Sequence, residues 1–434
     1  MEKKLLIIAI LSALACTTQA HAGALDTNQE GEPLKQGSKP VMLYDDANTS
    51  MHMYGIVEAT ISNANSQSVT GGTASAAGFQ TAWFSGNRLG FDMDHALAFG
   101  DEIGLPGLKV ISKLETEFEL PTGSVDTNNV IFNRDAWMGF ESEDLGKITL
   151  GRQNTLTRDF TQNWGDAYGS DSVTLKEGGY SNVNNFKQFI FYSGSAGGTR
   201  MNSAVEWKKK YGSHVVAGLG YGFSSTGPGG GNGNGGGVAG DFTDGSTEEA
   251  SIAYNGLELG DGKLSFNASY DEANVSDLIH QSELIGGNYH IGIFRLNTGF
   301  VHYTAQQGAN NSMGTRTDNS WTVSFSLMPE GKMKYDLGYQ QMKGTNAGFN
   351  AGGNTLNPFG NTLAVTAVAD GAKNTLYGSI IFRADSQTDF YLAADYMSVT
   401  GGWVIGDAQG GGRIGTGQAA ANETEVAMGV RFKF

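Results

Sequence analysis

Apolar and polar residues alternate in runs of about ten along much of the chain, with the two-residue period of a strand and not the 3.6-residue period of a helix. MHMYGIVEATI (51–61) places Met51, Met53, Gly55, Val57, Ala59 and Ile61 on one face, with His52, Tyr54, Glu58 and Thr60 on the other. LKVISKLETEFEL (108–120) sets Leu108, Val110, Leu114, Phe118 and Leu120 against Lys109, Lys113, Glu115, Glu117 and Glu119. The pattern returns in VVAGLGYGF (215–223), KLSFNASY (263–270), WTVSFSL (321–327), KMKYDLGYQ (332–340), TLYGSIIFR (375–383) and DFYLAADYM (389–397). The last run, EVAMGVRFKF (425–434), puts Val426, Met428, Val430, Phe432 and Phe434 on one side. Such strands fit either a soluble sandwich, polar face to water, or a barrel in lipid whose charged face lines a wet interior.

The connections favour the barrel. Short turns at 141–147, 255–263, 328–332 and 384–388 largely alternate with long segments at 62–82, 121–132, 155–185, 224–247, 306–318, 344–373 and 400–423. One rim of tight turns and one of loops is the transmembrane-barrel arrangement. The aromatics Tyr54, Trp83, Trp137, Trp207, Tyr221, Tyr270, Tyr303, Trp321, Tyr339, Tyr377 and Tyr396 stand near strand ends, as girdles at the two lipid interfaces would. Seventeen segments qualify as strands where an even number is needed, so sixteen is the preferred count and eighteen the alternative. The ambiguity lies in 186–224, and the short VMLY (41–44) is expected to pair beside the C-terminal strand.

Composition narrows the class further. Glycine supplies 64 of 434 residues, about twice the usual ~7%, while proline supplies only 7. No run of about 18 apolar residues occurs, so helical spans are not expected. Lys3 and Lys4, the apolar run Leu5 to Cys16 and the exit Ala20-His21-Ala22 read as a signal peptide over 1–22, leaving one barrel domain over 23–434. The single cysteine lies in that leader, which excludes a disulfide framework or thiolate site afterwards. A formal net charge of −16 argues against a nucleic-acid partner. The glycine run 227–240 lacks the Lys-Ser/Thr of a phosphate loop and reads as an external loop. No catalytic or metal-binding signature is present, and neither cofactor nor metal is expected.

NRLGFDMD (87–94), LKVISKLETEFEL (108–120), NRDAWMGFESEDLGKITLGRQNTLTRDF (133–160), VMLYDDANTSMHMYG (41–55) and the closing VRFKF together resemble the general porins of Gram-negative outer membranes. The resemblance implies an all-β, sixteen-stranded antiparallel barrel, a homotrimer in outer-membrane lipid that passes small hydrophilic solutes and ions, with a long third loop folded into the lumen. It also implies that Phe434 is a recognition signal for the barrel-assembly machinery. Arg88 and Arg134 match the family's wall arginines, and Lys109 and Lys113 share the polar face of the next strand with Glu115 and Glu117. These charges either face the solute or pair locally, with Asp92, Asp94 or Glu115, and hold the wall together. The third family arginine falls on Asn185. The constriction loop maps to 155–185, carrying Arg158, Asp159, Asp166, Asp171, Lys176 and Glu177 without the Pro-Glu-Phe-Gly tip of many relatives. The acidic excess favours mild cation selectivity. The rival reading is a plugged barrel that acts through its loops as an enzyme or adhesin.

Overall fold

In the computed structural model the described residues are 40–434, apart from 81, 85, 127–129, 162–174, 176–199, 224–244, 276, 330, 350–364 and 404–419. They form one closed antiparallel sheet of eighteen strands: β1 Val41–Asp45, β2 Thr49–Ser68, β3 Thr73–Gln80, β4 Asn87–Ala96, β5 Lys109–Phe118, β6 Ala136–Ser142, β7 Gly146–Asn154, β8 Arg200–Tyr211, β9 Val215–Gly222, β10 Thr247–Leu259, β11 Gly262–Val275, β12 Leu278–Ile291, β13 Phe294–Gln307, β14 Gly314–Leu327, β15 Met333–Phe349, β16 Ala367–Arg383, β17 Thr388–Gly401 and β18 Ala420–Lys433. One short helix, α1 (Leu156–Thr161), follows β7.

Eighteen strands make sixteen staves. Along one edge of β2, β18 pairs with Ile56–Ser68 and β1 continues the line at Ser50–Met53. Along the other edge, β3 pairs with Thr60–Gln67 and β4 with Thr49–Ile56. β1 and β18 therefore lie end to end as one stave, β3 and β4 as another, and the barrel is sixteen-stranded. VMLY, expected to pair beside the C-terminal strand, instead pairs with β2 and continues the line of β18, because both occupy the same edge of β2.

Alternation decides which face is wet. On β2, Ile56, Glu58, Thr60 and Ser62 are buried while Ile61 is 58% exposed; on β18, Arg431 and Lys433 are buried while Met428 is 60% exposed. The apolar exterior is what lipid rewards, and closure leaves no unpaired backbone edge in it. Two-residue turns close two hairpins on one rim, β10–β11 and β12–β13, where Gly260 (φ +60°) and Gly292 (φ +55°) adopt the left-handed conformation such turns demand.

Two sequence expectations are corrected here. Residues 62–82 are no long loop, because β2 and β3 run through them and leave only 69–72 as a turn. Apart from Phe79, SNANSQS and TASAAGF offer only small and amide side chains, so no hydrophobic alternation marks them, yet their backbone ladder forms normally. The ambiguous 186–224 resolves into β8 and β9 from Arg200 onward, with 186–192 outside the described residues.

The aromatic girdle is also only partly as expected. Tyr54, Trp83, Trp137, Tyr303 and Tyr377 are buried on the inner side, whereas Trp321 and Tyr396 face outward. Two of these inward rings, and that of Tyr391, pack against glycine. Tyr54 is registered opposite Gly90, Tyr377 opposite Gly338 and Tyr391 opposite Gly429. A Cβ at any of these glycines would overlap the facing ring, so each tyrosine lies flat in the notch its partner leaves.

Candidate pore lining and its charged wall

The inward faces of β4, β5 and β6 converge on Glu115. Register places Arg88 beside Glu117 across β4 and β5, and Lys113 beside Asp92. The wholly buried Glu115 carboxylate accepts a hydrogen bond from the Tyr54 hydroxyl at 2.8 Å and one from Arg134 Nε, with Arg88 Nη1 at 3.7 Å. Arg134 also pairs with Glu117. Lys113 meets Asp135 at 3.4 Å and lies over the Tyr54 ring at 5.4 Å. Lys109 sits nearer the rim, 3.6 Å from Asp94 and 3.4 Å from Glu141.

All six wall residues read from sequence thus share the inner surface, and they pair with one another or with neighbouring carboxylates. Glu115 is the partner of both arginines. Such a buried network is maintained because an isolated charge there would be expensive, and it still leaves charge of both signs along the interior.

Of the constriction-loop residues, Arg158 and Asp159 are described, whereas Asp166, Asp171, Lys176 and Glu177 lie outside the described residues, as does Asn185. Helix α1 packs on the inner face of β9 to β12. Leu156 and Phe160 join Val216 and Ala253 in a buried cluster, with Leu175 against it. Leu156 N–H donates to Glu249 Oε2 at 2.7 Å, Lys208 Nζ donates to Asp159 Oδ2 at 2.6 Å and Arg158 Nη1 donates to Asn154 Oδ1 at 2.7 Å. Lys147 Nζ reaches the Leu175 carbonyl at 3.4 Å.

Several charges were missed. Arg152, half-buried near the end of β7, donates to the Asn133 carbonyl at 2.8 Å and to Asn202 Oδ1 at 2.5 Å. On the inner face the missed charges sit on β14, β17 and β18. Arg431 and Lys433 share Asp389 at 2.8 and 3.3 Å, and Arg316 pairs with Asp318 at 2.7 Å. The alternation in VRFKF already carried the signal for Arg431 and Lys433. Among the described residues no group of acidic, histidine or cysteine side chains is arranged to hold a metal ion.

Comparison with known proteins agrees with this architecture. Residues 9–402 match the model of the Gram-negative porin family. An outer membrane porin protein of Bordetella pertussis is 23% identical over 277 residues, 59% of this chain and 65% of that protein, so the match spans just under two thirds of the relative's length. Three solved structures share the fold. The anion-selective porin from Comamonas acidovorans has a TM-score of 0.59 at 18% identity, covering 89% of this chain and all of that one. The outer-membrane OmpT of Vibrio cholerae has a TM-score of 0.56 at 14% identity, covering 91% of this chain and all of that one. Its in-vitro folded trimer form has a TM-score of 0.52 at 14% identity, with 89% and 100% covered. With an apolar exterior, a closed sixteen-stave wall and a charged interior, the chain belongs to the Gram-negative porins of the outer membrane.

Proposed function

We propose that the barrel is a water-filled diffusion channel for small hydrophilic solutes and ions, a homotrimer in outer-membrane lipid whose segment 155–185 folds into the lumen. The observation that carries this reading is the position of α1 and Leu175. Both described parts of the segment pack against inward-facing side chains of β8 to β12 and not beyond the rim. The narrow region then lies between that segment, including Arg158 and Asp159, and the wall of Arg88, Arg134, Lys109, Lys113, Glu115 and Glu117. The trimer form of OmpT supports the assembly by analogy of fold.

Selectivity follows from the balance of charge along the interior. The wall arginines are held by Glu115 and Glu117, while Glu58, Asp395, Glu423 and Glu425 line the inner seam, and the chain as a whole is acidic. A narrow passage in low dielectric focuses the sign in excess, so we assign a modest cation preference that grows as salt is lowered and screening weakens. The anion selectivity named for the Comamonas porin belongs to a protein related at the level of fold.

Planar-bilayer recording tests both parts. Stepwise conductance supports the channel, and a silent barrel refutes it in favour of a plugged one. Reversal potentials across a KCl gradient read the selectivity, and a chloride preference at low salt overturns the cation assignment. If the loop is lumenal, Asp166→Asn with Asp171→Asn moves the reversal potential towards anions.

A further inference from the structure

The stave made of β3 and β4 is broken in a way that ordinary barrel geometry does not require. Gln80 pairs with Thr60 and Arg88 with Ile56. Three residues of β2, Val57 to Ala59, therefore face seven on the other side, 81–87. The surplus runs to the inside, as Ala82, Trp83 and Phe84 are all buried there.

This inward step is seated on specific groups. Glu58 Oε1 accepts the backbone N–H of Trp83 at 2.6 Å and that of Phe84 at 3.1 Å, and takes a third hydrogen bond from the Tyr391 hydroxyl at 2.8 Å. The Phe84 ring meets Tyr391 edge to face at 4.7 Å, with the Arg431 guanidinium over it at 5.1 Å. At the far end, Arg88 Nε donates to the Gly86 carbonyl at 3.2 Å, and a Cβ on Gly86 would overlap the Glu117 side chain. One end of the step thus rests on the seam strands β2, β17 and β18, the other on the charged wall.

A strand bulge usually adds one residue and re-aims a side chain. Here four extra residues instead carry an indole and a phenyl ring into a buried cluster with Tyr377, Tyr391 and Met397 on the inner side of the wall. A buried carboxylate oxygen on which three hydrogen-bond donors converge is a strong clamp, because each donor would otherwise be left unsatisfied away from water. Burying Glu58 without them would be costly. We propose that Trp83 and Phe84 form a second constricting ledge of the channel, independent of the 155–185 segment, and that Glu58 sets the bore by clamping the ledge backbone to the wall. This rests on the channel reading above and adds a bore-determining element on the opposite side of Arg88 from Arg134.

The test is single-channel conductance of trimers whose folding is checked by heat-modifiable mobility. Trp83→Ala with Phe84→Ala is expected to raise conductance by roughly 1.5-fold, because pore diameter sets passage. Glu58→Leu releases the clamp and raises both conductance and open-channel noise. Glu58→Gln retains an acceptor oxygen and stays near wild type. Should the double variant fail to fold, Tyr391→Phe removes one donor to Glu58 while keeping the ring, and its open-channel noise should rise. Folded variants with wild-type conductance and noise overturn the ledge while leaving the channel intact. A wild-type protein that does not conduct at all overturns the channel reading, and the ledge with it.

Discussion

Replacing Glu115 by Ala should be among the most damaging single changes in the wall, and the geometry gives its size. The carboxylate is buried and receives the Tyr54 hydroxyl at 2.8 Å and Arg134, with Arg88 at 3.7 Å. Removing it leaves two arginines sharing Glu117 and takes one hydrogen bond from the Tyr54 hydroxyl. Breaking a buried ion pair by deleting one partner costs about 3–5 kcal/mol, and the loss of one hydrogen bond about 1 kcal/mol. Lumenal water reaching the vacated space offsets part of this, so the expected loss is about 3 kcal/mol, near the lower end of the ion-pair range. The cycle with Arg134→Ala is the sharper measurement. The double variant should cost less than the sum of the singles, with a coupling of roughly 1–3 kcal/mol for residues in one network. Equilibrium urea unfolding from lipid vesicles, followed by tryptophan fluorescence, reads all four corners. Additivity within about 0.5 kcal/mol would refute a shared network. The reversal potential of Glu115→Ala should also move towards anions.

Three other outcomes are expected. Gly338→Ala should destabilise the barrel by about 1–3 kcal/mol through overpacking against Tyr377, and Tyr377→Ala in the same chain should recover part of that loss; equal stability of Gly338→Ala and wild type would contradict the notch. In the loop after β5, partial burial and then the carboxylates of Asp126 and Glu117 push Glu119 up to about 7. Its protonated form is therefore favoured in the folded turn, where the Glu119 N–H donates to the Ser124 carbonyl at 2.7 Å and the Asp126 N–H to the Glu117 carbonyl at 3.0 Å. The contribution to stability is full below the ordinary glutamate value near ~4.3, is lost as pH rises through about 7, and is flat above. Amide exchange at Ser124 to Asp126 should speed up between those limits beyond its intrinsic rise, and Glu119→Gln should abolish the excess. At the seam, Phe434 exchanges backbone hydrogen bonds with Gly55 at 2.8 and 3.1 Å and lies 6.0 Å from the Phe432 ring. Phe434→Asp puts a charge at the closing junction and should lower assembled barrel relative to total protein on heat-modifiability gels; unchanged yield would count against both the seam and the proposed assembly signal.

The two-residue period determined most of the architecture by itself. A strand has only two faces, so once Ile61 and Met428 are assigned to lipid, Glu58, Arg431 and Lys433 must point inward. The alternation of tight turns and long segments likewise marked the two rims. Where small and polar side chains prevail on both faces, with Phe79 the one large apolar residue in 62–68 and 73–80, hydropathy shows no alternation, although backbone pairing builds strands there all the same. Parity already set Tyr54 on the face of Glu58 and Thr60, but the glycine on the adjacent strand that seats an inward ring, as Gly338 seats Tyr377, emerges only from strand pairing. Partners were decided only by register. Arg88 and Arg134, far apart in sequence, meet at one carboxylate because β4, β5 and β6 are aligned to bring them there, and a slip of one residue would turn Glu115 out to lipid. The inward step at Trp83 and Phe84 is the same kind of fact. Its length is set by the mismatch between Gln80–Thr60 and Arg88–Ile56, which exists only once the strands are paired.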